Sequence, residues 1–131
     1  MSLVQPRRRL GRAFKPHRER LVRDSFAFTE SSLAFARSGA TGGASPQMRA
    51  ALSRWRRDAQ AALRRMQRLP RRVRGKREAI VALQALDTAL ARLDQSFSLS
   101  DPRAASGAAV SAKQEMARYR ELTGKLERRL R

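Results

Sequence analysis

Three stretches of this chain place apolar side chains at gaps alternating between four and three residues, a spacing that admits little other than helices packed on helices. The clearest is Ala79, Leu83, Leu86, Leu90, Leu93 and Phe97. Another is Met48, Leu52, Trp55, Ala59, Ala62, Met66 and Leu69, and a third is Ala105, Ala109, Ala112, Met116, Tyr119, Thr123, Leu126 and Leu130. Residues three and four apart share one face of an α-helix, so each run is a stripe that a neighbouring helix must cover. No segment shows the period of two that a half-buried β-strand requires.

Punctuation residues set the ends. Ser45 followed by Pro46 is an N-cap with a pre-set first turn, and Pro70 stops or kinks the same helix. The next helix opens between Arg72 and Arg77, and Asp101 followed by Pro102 caps the last. Upstream, a first helix is expected from about Pro16 to Ser38, where Gly39, Gly42 and Gly43 break it. Its sevenfold line is Phe14, Leu21, Phe28 and Phe35, with Val22, Phe26, Leu33 and Ala36 read as widening the same stripe.

Short connections force consecutive helices into opposite senses, so the expected fold is all-α: an antiparallel four-helix bundle with a flexible basic N-terminal arm. Residues 1–15 are read as the arm and 16–131 as a single helical-bundle domain, a length and a 41% hydrophobic content that suit one core. The competing architecture is a three-helix core with the first helix detached or exchanged between copies, hinged at the glycine-rich loop.

Charge is the second constraint. The formal net charge is +19 over 131 residues, and residues 49–77 hold twelve basic residues against one acid, Asp58. Residues 1–23 contribute +7 and 102–131 contribute +5, whereas 24–48 carry −1 and 78–101 carry −3. A charge of this size repels itself unless an anionic surface meets it. Opposite the seam of the second helix stand Arg54, Arg57, Arg64 and Arg68, and Arg71, Arg72, Arg74, Lys76 and Arg77 continue the row into the following turn. Arg54 to Arg68 spans about 21 Å at the helical rise, enough to cross several phosphates of a duplex. Arg7, Arg8 and Arg9, with Arg12 and Lys15, make the arm a further phosphate-binding element.

The aromatics narrow the class. Trp55, Tyr119, Phe97, Phe28 and Phe35 fall on seams, leaving Phe14 as the one ring available for stacking on bases, so duplex or generic phosphate binding is favoured over single-strand recognition. The turn from Leu69 to Gly75 joins helices too long for a helix-turn-helix, which argues against sequence-specific reading.

No cysteine is present and only one histidine, His17, which removes disulfides, thiolate chemistry and the usual bundle-core metal sites. His17 is read as an exposed residue near a helix start. Paired carboxylates on a seam, a nucleophile beside a base and a phosphate-binding Gly-rich loop ending in lysine are all missing. The expectation is therefore a non-enzymatic protein with no catalytic residues, no cofactor, no metal and no small-molecule substrate. Its partner is nucleic acid or another polyanion. The competing reading is a structural or interaction bundle docking on an acidic protein, an envelope component or an anionic membrane surface, which attracts basic residues at about 1 kcal/mol each. Leu63, Val110 and Leu122 flank their seams and offer contacts for a homodimer. With no membrane span and no apolar signal run at the N-terminus, a cytoplasmic location is expected.

Overall fold

The computed structural model describes residues 4–40 and 43–129, with side chains described from Phe14 onward. Four helices follow one another: α1 (Val4–Arg37), α2 (Pro46–Gln67), α3 (Lys76–Ser98) and α4 (Pro102–Arg129). Among the described residues there is no strand. α1 packs against α2 and α4, and α3 packs against the same two, which closes a helical bundle. Within it no helix is long and apolar enough to cross a membrane, among the described residues.

The caps form for the reasons their residues suggest. Ser45 Oγ accepts from the Met48 amide at 3.1 Å, and Pro46 occupies the first turn of α2, where a missing amide costs nothing. Asp101 Oδ1 accepts from the Ala104 amide at 3.1 Å at the start of α4. Between α3 and α4 the chain reverses through Ser100 at φ 51°, with Asp101 N–H reaching back to the Ser96 carbonyl at 2.9 Å. That pattern satisfies the last carbonyls of α3 before the next helix begins.

The seams of α2 and α3 face inward at every position: Met48, Leu52, Trp55, Ala59, Ala62, Met66 and Leu69 on one, Ala79, Leu83, Leu86, Leu90, Leu93 and Phe97 on the other. In α4 the buried line runs through Ala108, Ala112, Met116, Tyr119, Thr123 and Leu126, while Ala105 and Ala109 are half-buried; Leu130 lies outside the described residues. Phe28 of α1 joins the layers, its ring 5.9 Å from that of Trp55 and 6.1 Å from that of Phe97. Cross-helix pairs fix the register. Arg56 reaches Asp94 at 3.2 Å and Gln60 reaches Asp87 at 3.4 Å, so numbering rises along α2 as it falls along α3. Arg18, near the middle of α1, reaches Glu127 at the end of α4 at 2.6 Å.

Helix α1 departs from expectation in three ways. It begins at Val4, so the segment expected as a flexible arm has helical backbone. Arginine is a good helix former, and the lack of an apolar period marks an unburied helix as readily as a coil. Pro16 consequently sits inside the helix, where it removes one backbone hydrogen bond, and His17 is a mid-helix, half-buried residue instead of an exposed helix start. The supposed single stripe is also two. Phe14, Leu21 and Phe28 are buried, but Phe26 is 64% exposed and Leu33 50% exposed.

Gly75, at the N-cap of α3, has φ 93°, and a Cβ there would stand 3.2 Å from Leu126 Cδ2. Left-handed backbone and a tight neighbour both penalise a side chain. Gly75→Ala is expected to lower stability by about 1–3 kcal/mol, read as a reduced midpoint in urea unfolding.

Candidate polyanion-binding face

Burial of the α2 seam dictates what its opposite face presents. Arg54, Arg57, Arg64 and Arg68 are all exposed. The row is carried past the helix end because Leu69 is buried and Val73 packs against the core, pinning the turn at two apolar points. The turn is closed by Val73 N–H to the Pro70 carbonyl at 3.1 Å and Lys76 N–H to the Val73 carbonyl at 3.2 Å. Arg71 and Arg72 between the two apolar points and Arg74 just after them are exposed. Seven of the expected residues are thus exposed along α2 and the turn that follows it. A side chain of α4 ties down the turn, since Arg129 Nη1 donates to the Arg74 carbonyl at 3.2 Å.

Lys76 leaves the row. Its ammonium donates to the Leu69 carbonyl at 2.5 Å and the Gln67 carbonyl at 3.2 Å, capping the negative end of the α2 dipole. Arg7, Arg8 and Arg9 lie on the helical backbone of α1, and their side chains fall outside the described residues.

The electrostatics separate structural arginines from the rest. Arg18 and Arg56 are partly buried and bridge helices through Glu127 and Asp94. Among the described residues, no carboxylate lies within 4.0 Å of Arg54, Arg57, Arg64, Arg68, Arg71, Arg72 or Arg74. Arg64 and Arg68 are four apart and Arg54 and Arg57 three apart, so neighbours on this face repel, each such pair costing a few tenths of a kcal/mol. A row of fixed, solvated guanidiniums offers bidentate donors to phosphate oxygens and no group able to activate a nucleophile.

The rings follow the seams with one exchange. Trp55, Tyr119, Phe28 and Phe97 are buried and Phe35 is half-buried. Phe14, the ring expected to be free, is 1% exposed, because it continues the sevenfold line of Leu21 and Phe28 into the core. The exposed ring is Phe26. Of the residues expected at a dimer contact, Leu63 and Leu122 pack against the core and Val110 is exposed.

Sequence reasoning missed Asp24, a carboxyl that is 1% exposed at the α1–α2 contact, with Oδ2 lacking any hydrogen-bond partner. Burial pushes its pKa up to about 7, helped by a hydrogen bond with Asp58 and by the charge of Asp58, against the pull of Arg23 and Arg54. Beside this pair, burial holds the His17 imidazole below its ordinary range, as do the charges of Arg20 and Arg65, and Asp58 opposes them. The signal was present: Asp24 falls three after Leu21 and four before Phe28, on the inward line itself. No protein-family model, curated protein or solved structure matches this chain.

Proposed function

We propose that this chain is a non-catalytic polyanion-binding helical bundle whose main target is duplex nucleic acid, held through arginine–phosphate contacts with little sequence preference. The observation that carries the reading is the run of exposed arginines along α2 and its following turn, free of carboxylate partners among the described residues. Exposed cations along about 21 Å can reach several phosphates of a backbone and bring no base-reading geometry. The buried rings support the same choice, since single-strand binders stack bases on exposed aromatic platforms. Binding energy would come largely from release of counterions condensed on the nucleic acid.

The test is fluorescence anisotropy of a labelled random-sequence duplex, titrated with nuclease-treated protein at several salt concentrations, with single-stranded RNA and heparin as competitors. A log–log salt slope of about −4 to −7 is expected, corresponding to roughly 4 to 8 neutralised phosphates. Equal displacement by heparin and duplex at matched charge makes the target any polyanion. Absence of binding at about 100 mM salt overturns the proposal, because a face of this charge must bind a polyanion there if it binds one at all.

A further inference from the structure

Helix α1 carries two seams of the same three–four spacing. The inner one, through Phe14, Leu21, Asp24 and Phe28, is buried in the bundle. The outer one is Val22, Phe26, Thr29, Leu33 and Ala36, with gaps of 4, 3, 4 and 3. Phe26 and Leu33 are 64% and 50% exposed, Ala36 is exposed, and Val22 and Thr29 are half-buried. Val81, Leu99 and Val110 are exposed singly, whereas Phe26 and Leu33 stand seven apart on one line, and an exposed heptad stripe about 21 Å long is a surface built for another helix.

We propose that this outer seam pairs with the same seam of a second copy, the two α1 helices running antiparallel across a twofold axis. The flanking charges select that occupant. Arg23, Glu30 and Arg37, seven apart, lie on one flank of the stripe and alternate in sign, Glu19 extends the line of Phe26 and Leu33 next to that flank, and the other flank carries Ser25, Ser32 and Arg18, the last already paired with Glu127. In antiparallel pairing, a flank meets the same flank of its partner. With Val22 opposite the second copy's Leu33 and Phe26 opposite its Thr29, each large residue meets a smaller one. Glu19 then stands by the second copy's Arg37, and Arg23 by its Glu30. Parallel pairing would set these charges against serines and lose the match.

The charge distribution favours the same place. Two chains of +19 repel, but residues 24–48 carry −1, which makes the second half of α1 a far less hostile approach than its basic first half or than α2. Antiparallel pairing also sends the two His17 ends to opposite poles, roughly 32 Å apart along the common axis, and so separates the basic N-terminal halves. An anionic membrane fits this stripe less well, because Glu19 and Glu30 would be pressed against lipid phosphates.

Sedimentation equilibrium of the nuclease-treated full chain tests the pairing. In 0.5 M salt and at about 200 µM protein, a mass of twice 14.8 kDa is expected. Phe26→Glu, at a site too exposed to matter for folding, should raise the dimer Kd by about 30-fold or more with unchanged helical circular dichroism. Glu30→Arg should weaken pairing, and adding Arg23→Glu to it should restore wild-type affinity. Salt should strengthen pairing by screening net repulsion while it weakens polyanion binding, so failure of one does not mimic failure of the other. A monomer at the highest concentration overturns the proposal. So does a dimer indifferent to Phe26→Glu, a charge swap that restores nothing, or a monomer that needs Phe26 to bind phosphatidylserine vesicles.

Discussion

Replacing Arg54, Arg57, Arg64 and Arg68 together with glutamine should cut duplex affinity by about 10³-fold at 0.1 M salt and reduce the steepness of the log–log salt slope by about 3 to 4. Each phosphate contact adds close to 0.9 to that slope, which at 0.1 M is worth about eightfold relative to 1 M; four contacts multiply to the larger figure. The loss should be uniform across duplex sequences, because phosphate contacts carry no base information. Arg92 and Arg103 are exposed near the α3–α4 turn, at the other end of α3 and α4 from Arg74 and Arg129, and serve as the comparison. Their replacement by glutamine should leave the slope nearly unmoved. The four-fold variant should also unfold at a slightly higher temperature, since glutamine keeps helix propensity and removes the like-charge pairs along the face. Lower affinity with higher stability is the signature of residues retained for a ligand; loss of both would make the arginines structural. Unchanged affinity and slope would place the binding surface elsewhere.

How far the sequence exposed this arrangement depended on how many ways each pattern could be satisfied. In α2 and α3 one apolar stripe stands on each helix, so the inward face was unambiguous and the exposed arginines followed as its complement. In α1 the lines through Leu21 and Phe28 and through Phe26 and Leu33 are both helical, and spacing alone does not say which one the bundle covers. Merging them produced a single wide stripe that the structure divides. The beginning of α1 was misplaced for a related reason: Pro16 was taken as a boundary, whereas Arg and Leu before it carry enough helix propensity to extend the helix past it. Lys76 was counted with the arginine row because its capping of two carbonyls depends on the fold of the turn, which no spacing rule encodes. Asp24 escaped because a carboxylate on an inward line is expected to be excluded from the core.

That carboxyl gives the second large effect: Asp24→Asn should make the protein more stable than wild type above pH 7, with the difference shrinking as pH falls and vanishing only below about pH 3.8. Asp24 is buried at the α1–α2 contact and its pKa is raised from 3.8 to about 7, first by burial, then by the hydrogen bond and charge of Asp58. The folded chain therefore keeps this proton where the unfolded chain has released it. The contribution of the group to stability is whole below pH 3.8, falls as pH rises, and is lost once pH passes about 7. Asparagine cannot ionise, so the variant escapes the loss. Every other charge near the pair, His17, Arg20, Arg23, Arg54 and Arg65 included, is common to both proteins, and the stability difference between them isolates the carboxyl. Urea unfolding from pH 4 to 8 should show the two curves parting progressively towards high pH. If wild type instead gained on the variant as pH rose, Asp24 would be ionised in the fold and held by Arg23 and Arg54. The outward arginines would then contribute to the α1–α2 contact as well as to any ligand, because phosphate neutralising Arg54 would take from Asp24 part of the field that keeps it charged.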